Sequence, residues 1–249
     1  MGITSDATPR IEPEVPERAK KLHSRMLETV HNRVLRTNPK MRRGMWVVLL
    51  GPDGAGKSVV IRGIGNGVAA GFVGSDAYHL RPRVFGKGKP VTVTDPHGRP
   101  ARGAGVTALK LLGLLAANWI AYLAVVQPRV AKGRLVLFDR YIADALVDQK
   151  RYRIPSECRW LVRVIASLVP QPDLYVVLDA PPLVLLSRKQ EVSPYEAERQ
   201  RREYRLLMRV LQHCLVVDAS GPIGTVVDEV VAKIVDRRLG ELLRVKKAA

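Results

Sequence analysis

Short, near-continuous apolar runs recur along the chain and are separated by longer stretches of helical composition. Strands that are apolar at consecutive positions are buried on both faces, which is typical of a parallel sheet covered by helices. The pattern therefore predicts an α/β fold, a three-layer α/β/α sandwich with a mostly parallel sheet of about five strands. We expect these strands at Met45–Leu50, Ala77–Leu80, Arg134–Phe138, Leu174–Leu178 and Leu215–Val217.

The same pattern divides the chain into three parts. We predict a basic N-terminal extension over residues 1–44, one domain over residues 45–240 and a basic tail over residues 241–249. Apolar residues at every fourth position predict that the extension is helical from about residue 15. These positions are Leu22, Met26, Val30 and Val34, and the helices predicted within the domain include Val59–Ala70, Leu183–Lys189 and Glu196–His213.

One segment, Leu111–Val126, is apolar and contains no charged residue. A helix that spans a bilayer needs about 20 such residues, so this segment is short for a membrane span. We therefore predict a buried core helix. Two alternatives stay open from the residues alone, an interfacial helix that contacts membrane lipid and a helix that forms a dimer face.

Charge and composition limit the classes of partner that the protein is expected to bind. The chain has 41 Lys and Arg against 23 Asp and Glu, a formal net charge of +18, which predicts attraction to polyanions. Only 5% of the residues are aromatic. Without a recognisable nucleic-acid-binding motif, this disfavours nucleic acid as a partner. Two separated cysteines and a start without an apolar signal segment predict a cytoplasmic protein.

A phosphate-binding loop follows the first predicted strand. The chain matches G-x-x-x-x-G-K-[ST] there, with an apolar strand before the match and a helix-compatible stretch after it. Glycines let successive backbone N–H groups point at phosphate oxygens, and the helix N-terminus adds its positive dipole. The lysine reaches the β- and γ-phosphates and the serine hydroxyl ligates Mg²⁺, so we predict ATP and Mg²⁺ as cofactors. The loop consists of Gly51, Pro52, Asp53, Gly54, Ala55, Gly56, Lys57 and Ser58.

An acidic residue at the end of a neighbouring strand completes a metal site of this kind. Asp139 and Asp179 both follow predicted strands. We assign the metal to Asp139 together with Ser58, because Arg140 follows at once and can meet an anionic acceptor. Asp179 is assigned a structural role.

In this order the residues resemble the thymidylate kinase family of P-loop kinases, over about residues 45–235. Asp139-Arg140-Tyr141 is similar to the D-R-Y signature of the family, whose Arg holds the acceptor phosphate. The resemblance implies that Asp53 contacts the acceptor sugar, and that Arg140, Tyr141 and Gln149 belong to the acceptor site. It also implies that a homodimer forms, that Arg81 is a second candidate for the acceptor phosphate, and that Ala219 and Ser220 border the adenine.

A basic segment from Arg188 to Arg202 resembles the lid of the family. Charge spreads over the transferred phosphoryl oxygens in phosphoryl transfer, so a lid cation that closes over them stabilises the transition state. We predict Lys57, Arg140 and Arg188 as catalytic residues. The acidic residues interleaved in the segment leave open that its other arginines pair along a solvated helix face.

The chain departs from the family where the acceptor is recognised. Asn118-Trp119 stands where the family has an Arg that reads thymine, and Asp144, Val147 and Asp148 stand where Ser, Ala and Tyr are usual. A basic cluster, Lys150-Arg151-Tyr152-Arg153, follows, and residues 81–110 form a basic Gly- and Pro-containing segment that we predict to be a long loop.

The sequence leaves three alternative functions open. The first is a kinase that transfers the γ-phosphate of ATP to a phosphorylated acceptor, with thymidylate (dTMP to dTDP) as the first candidate. The second is a P-loop kinase that acts on a sugar phosphate, a lipid-linked glycan or polyphosphate. The third is a non-catalytic, nucleotide-dependent binding module, which the net charge of +18 supports.

Overall fold

A single parallel sheet organises the computed structural model, which describes residues 43–67, 72–80, 103–188 and 193–247. Within these residues five strands pair in the order β2-β3-β1-β4-β5, all parallel, as predicted. The strand ends differ from the predicted ones by two residues or fewer. The strands are β1 (Met45–Leu50), β2 (Ser75–His79), β3 (Leu135–Asp139), β4 (Leu174–Asp179) and β5 (Cys214–Asp218).

Helices cover both faces of the sheet. In the described residues they are α1 (Lys57–Gly67), α2 (Ala104–Ala131, with π-helical turns at Tyr122–Val126), α3 (Asp144–Val147), α4 (Gln149–Tyr152), α5 (Arg159–Leu168), α6 (Pro182–Arg188), α7 (Pro194–Met208) and α8 (Ile223–Lys247).

Alternate residues of β1 enter two separate cores. Trp46, Val48 and Leu50 pack with residues of α2, α5 and α7, whereas Val47 and Leu49 pack with residues of α1, α6 and α8. Side chains that alternate between the two faces of a strand produce this division. The result is the predicted three-layer α/β/α sandwich.

Several predicted boundaries are corrected by the structure. The helix predicted to reach His213 ends at Met208, because the residues up to His213 (φ 52°) turn into β5. Helix α8 continues to Lys247 and so crosses the boundary predicted at residues 240–241. The N-terminal extension up to residue 42 and residues 81–102 of the predicted basic loop lie outside the described residues. Residues 104–110, predicted as the end of that loop, form the first turns of α2 instead.

Helix α2 corrects the prediction of a buried core helix. Leu111 and Val126 are buried against the sheet, but Leu109 is 73% exposed and Leu123 is 55% exposed. Only 22% of its most apolar 18-residue window is buried, and by length and composition the helix could cross a membrane. Apolar residues lie on all sides of the helix, so their pattern did not reveal that the sheet covers one face and leaves another open.

Candidate active site

The phosphate-binding loop lies between β1 and α1 at the carboxyl end of the sheet. Gly51, Gly54 and Gly56 have φ angles of 141°, 85° and 84°, which side-chain-bearing residues rarely adopt. A Cβ atom at Gly51 would come within 2.5 Å of the carbonyl oxygen of Leu178 on β4. The loop therefore depends on glycine both for its curvature and for its close approach to β4.

Lys57 is buried at the first residue of α1. Its Nζ donates hydrogen bonds to the carbonyl oxygens of Gly51 (2.7 Å) and Pro52 (2.8 Å). Burial, followed by the charge of Arg140, lowers the pKa of Lys57 to about 8. The ammonium group is thus held inside the loop, where phosphate oxygens can replace the carbonyl oxygens as its acceptors.

Ser58 and Asp139 meet because β1 and β3 are adjacent parallel strands with Leu49 paired to Asp139. Ser58 Oγ donates to Asp139 Oδ2 at 2.6 Å. Burial acts to raise the pKa of Asp139, but His79, Lys57 and Ser58 together outweigh it and lower this pKa to about 2. The carboxylate is therefore ionised at every physiological pH.

The Asp139–Ser58 pair fits a magnesium ion. Asp139 Oδ1 is buried and has no hydrogen-bond partner among the described residues. Mg²⁺ prefers hard oxygen ligands and is bound through one or two carboxylates together with substrate phosphates. No group of three or more His, Cys, Asp or Glu side chains that could hold a metal occurs in the described part of the chain. Asp139 and Ser58 therefore suit a Mg²⁺ site in which phosphate oxygens of the nucleotide supply further ligands.

Arg140 lies at the end of β3 in a left-handed conformation (φ 72°), which is rare for a residue other than glycine. It donates to Asp53 Oδ1 of the phosphate-binding loop and to Asp144 Oδ2 at 2.6 Å. The side chains of Arg140 and Asp53 are 6% and 8% exposed, and that of Asp144 is fully buried. The two carboxylates thus fix the guanidinium beside the loop.

Asp144 is the centre of a buried polar cluster that the sequence did not reveal. Besides Arg140, it accepts hydrogen bonds from the hydroxyls of Tyr152 (3.1 Å) and Tyr204. Burial and the negative charge of Asp144 raise the pKa of both tyrosines well above the ordinary value. Tyr204 belongs to α7, so the cluster links the lid helix to Arg140. The sequence signal for this cluster was that Asp144 follows Arg140 by four residues, a spacing at which oppositely charged side chains on a helix can pair.

A second arginine, Arg151 on α4, also reaches Asp53. Its Nη2 donates to Asp53 Oδ2 at 2.6 Å, and its Nε donates to Asp148 at 3.3 Å. Asp148 caps α4 by accepting the backbone N–H of Arg151 at 3.1 Å. Among the residues that depart from the family pattern, Arg151 therefore bonds to the phosphate-binding loop directly, and Asp144 and Asp148 are linked to the loop through the arginines that they bind.

The remaining residues predicted for the acceptor site have different environments in the structure. Tyr141 is a core residue, 1% exposed, whose hydroxyl donates to the carbonyl oxygen of Pro170, so its assignment to the acceptor site is corrected. The side-chain Nε2 of Gln149 is buried and has no hydrogen-bond partner among the described residues. A buried donor of this kind is suited to bind a ligand. Arg81 lies outside the described residues.

Arg188 is held by backbone carbonyl oxygens. Its guanidinium donates to the carbonyl oxygens of Ala219 (2.6 Å), Ser220 (3.3 Å) and Gly221 (3.2 Å) in the loop after β5. These carbonyls hold the cation at the loop predicted to border the adenine, and its catalytic position over the γ-phosphate stays a prediction. That loop lies near the phosphate-binding loop, since a Cβ at Gly56 would be 3.6 Å from Ile223.

Two further lid arginines, Arg199 and Arg201, and Arg205 beyond the lid segment form ion pairs within the fold. Arg201 and Arg205 form ion pairs with Asp179 at 2.8 Å and 2.7 Å, which is a structural role for that carboxylate. Arg199 pairs with Glu196 at 2.6 Å and donates to the carbonyl of Val147. These pairs hold α7 against the end of β4 and against α3.

The comparisons with known proteins bear on the family and the fold. No protein-family model matches the chain. A probable thymidylate kinase from Pyrobaculum aerophilum is 32% identical over 149 residues, 57% of this chain and 68% of that protein. Another from Caldivirga maquilingensis is 29% identical over 205 residues, 79% of this chain and 96% of that protein. The solved thymidylate kinase of Candida albicans, 16% identical, shares the fold with a TM-score of 0.55 and covers 79% of this chain and 94% of that one.

Proposed function

The chain belongs to the thymidylate kinase family, and from this premise we propose that it transfers the γ-phosphate of ATP to a nucleoside monophosphate. The first candidate reaction is the conversion of dTMP to dTDP. One observation carries the proposal: Arg140 at the end of β3 is bonded to Asp53 inside the phosphate-binding loop. This contact puts an acceptor-binding cation directly beside the group that would hold the donor phosphates.

Each residue of the site has its own role in the proposed reaction. Lys57 would exchange the carbonyls of Gly51 and Pro52 for β- and γ-phosphate oxygens and neutralise the charge that develops on them. Ser58 and Asp139 would hold Mg²⁺, which when bound neutralises phosphate charge and orients the donor. An oxygen of the acceptor phosphate attacks the γ-phosphorus in line, the bond to the β-phosphate oxygen breaks, and ADP leaves. A monophosphate is already ionised at neutral pH, so no general base is needed.

Arg140 and Gln149 are proposed acceptor contacts. Asp53 and Asp144 orient the Arg140 guanidinium, and Gln149 offers a buried N–H group without a described partner. The loop at Ala219 and Ser220 is proposed to border the adenine, with Arg188 attached to it. A cytoplasmic location is proposed as well, in keeping with two free cysteines, Cys158 and Cys214.

A second candidate is a kinase for a different phosphorylated acceptor, such as a sugar phosphate. The family's thymine-reading position is occupied here by Asn118 and Trp119. Asn118 donates to the carbonyl of Leu114 at 2.8 Å, and Trp119 donates to that of Leu168 at 3.0 Å. Because both polar groups bond within the fold, thymine would have to be recognised by other residues.

The test is coupled release of ADP from ATP·Mg²⁺ with a panel of acceptors: dTMP, other nucleoside monophosphates, sugar phosphates and polyphosphate. Turnover that dTMP stimulates best, and that Lys57→Ala abolishes, is the expected result. Lys57-dependent turnover with a non-nucleotide acceptor would establish the second candidate. Tight ATP binding without stimulation by any acceptor would contradict both and favour a nucleotide-dependent binding module.

ATP affinity is expected to fall as the pH rises above about 8, the pKa of Lys57 in the unliganded protein. The protonated amine binds phosphate, so above this pH binding must also take up a proton. The dissociation constant should stay level from about pH 7 to 8 and then rise by up to about tenfold per pH unit. Calorimetric titration of ATP·Mg²⁺ measures this, and Lys57→Arg, which stays protonated, should remove the dependence. A level wild-type constant up to about pH 9.5 would contradict the assignment.

A homodimer through α2 is also proposed. At 3.6 residues per turn, five exposed apolar residues of α2 fall within about 100° of one another around the helix axis, so they lie on one face. Isolated monomers rarely expose an apolar stripe of this extent. Trp119 also connects α2 to Leu168 of α5, which is itself 52% exposed. The stripe consists of Leu109, Leu112, Trp119, Ile120 and Leu123.

Light scattering after size exclusion is expected to give a dimer for the wild type and a monomer for Leu123→Glu, because an isologous contact would bury two unpaired carboxylates. Leu183→Glu, at an exposed leucine of α6, is the matched control and should remain dimeric. A wild-type monomer that floats with anionic vesicles would contradict the dimer and identify α2 as a lipid-binding helix.

A further inference from the structure

Asp53 of the phosphate-binding loop is shared by two arginines. Arg140 bonds to its Oδ1, and Arg151 bonds to its Oδ2 at 2.6 Å. Each carboxylate oxygen therefore faces a different guanidinium, and Arg140 and Asp53 are both close enough to Lys57 to shift its pKa. Paired arginines with planar, multiply donating head groups are well suited to bind a phosphate group.

The two arginines differ in how far their side chains are exposed to solvent. The Arg140 side chain is 6% exposed, and its second partner, Asp144, is fully buried and also bonded to Tyr204. The Arg151 side chain is 21% exposed, and its bond to Asp148 through Nε is long, at 3.3 Å. Arg151 is thus the arginine of the pair that solvent, and hence a ligand, can reach.

Charge balance points the same way. Two carboxylates already neutralise Arg140, so an acceptor phosphate with about two negative charges needs a further cation at this position. Arg151 can supply it by moving its guanidinium from Asp53 to the phosphate. Asp148 would keep the arginine within reach, because it caps the backbone N–H of Arg151.

We propose that Arg151 is an acceptor-binding residue that bonds to Asp53 when the acceptor is absent and to the acceptor phosphate when it is present. The inference rests on the proposed function, and it adds a residue outside the D-R-Y segment to the acceptor site. Movement of Arg151 removes its hydrogen bond to Asp53 Oδ2, and an acceptor hydroxyl can donate to this oxygen in its place. Only hydrogen bonds are exchanged, and no proton or covalent bond is transferred.

The experiment compares the wild type with Arg151→Ala, Arg151→Lys and the control Arg209→Ala, which removes an exposed arginine after α7. Steady-state kinetics give KM for dTMP and for ATP, and calorimetry gives the affinity for ATP·Mg²⁺ alone. Arg151→Ala should raise KM for dTMP about 10- to 100-fold, since a hydrogen bond to a charged group is lost. The affinity for ATP should change less than about twofold, Arg151→Lys should recover part of the loss, and Arg209→Ala should match the wild type.

The outcomes separate this inference from the proposed function. If dTMP is inactive but another phosphorylated acceptor is used and depends on Arg151, the thymidylate proposal fails and the inference stands. If KM for dTMP is unchanged in Arg151→Ala, the inference fails and the proposed function stands. An equal loss of ATP and dTMP affinity, without recovery in Arg151→Lys, would mean that Arg151 only supports the loop and would overturn the inference. So would a wild type that binds no acceptor of the panel.

Discussion

Replacement of Lys57 by alanine is expected to lower kcat/KM by about 100-fold or more, the largest loss of activity that we expect from a single substitution. The ammonium group is buried inside the phosphate-binding loop and bonded to two of its carbonyls. When it is removed, no other described cation takes its place within the loop. The developing charge on the β- and γ-phosphate oxygens would then lack its nearest protein cation.

The measurement is the coupled assay with saturating acceptor, together with ATP affinity by calorimetry. Lys233→Ala is the matched control, because Lys233 lies on α8 in a partly exposed pair with Glu229 and should leave the kinetics unchanged. Thermal unfolding should show that Lys57→Ala remains folded, since the buried cation is replaced by an apolar group. Retention of most of the activity in Lys57→Ala would contradict the assigned role.

Replacement of Asp144 by alanine is expected to destabilise the fold by about 3–5 kcal/mol, the largest loss of stability. Asp144 is fully buried and accepts from Arg140, Tyr152 and Tyr204. Its removal leaves a buried guanidinium with one carboxylate fewer and two buried hydroxyls without this acceptor. A buried group that loses its partner bears its full desolvation cost, which is why the effect exceeds that of a surface ion pair.

Urea unfolding followed by tryptophan fluorescence measures this free energy. The control is Asp228→Ala, which removes an aspartate side chain from the exposed side of α8. It should change the free energy of unfolding by about 0.5 kcal/mol or less. Asp144→Ser, which introduces the residue usual in the family at this position, should recover part of the loss by accepting a hydrogen bond. A loss below about 1 kcal/mol for Asp144→Ala would mean that Arg140 is held mainly by Asp53.

The apolar pattern predicted the sheet because buried strands carry their signal in consecutive residues. All five strands were located to within two residues, and the loop at Gly51–Ser58 lies where the pattern put it. The contact between Ser58 and Asp139 could also be predicted, since adjacent parallel strands bring their carboxyl ends together. These features depend on local composition and on a rule of sheet topology, and both can be read from the chain.

Burial of individual side chains was harder to predict. Tyr141 follows Arg140 directly along the chain, yet it points into the core and bonds to Pro170. Arg188 lies in a basic segment but bonds to the loop after β5. Helix α2 is apolar on all sides, so its composition could not indicate which side the sheet covers. In each case the neighbour that decides the environment belongs to a distant part of the chain.

What the sequence determined by itself was therefore the α/β class, the strand positions and the phosphate-binding loop. Only the tertiary structure decided the partners of Asp53, which bonds to Arg140 and Arg151 across 87 and 98 residues. Tyr204 reaches Asp144 across 60 residues in the same way. The physical reason is that hydrophobic periodicity specifies which faces are buried, whereas the partner of a buried polar group depends on how distant elements pack together.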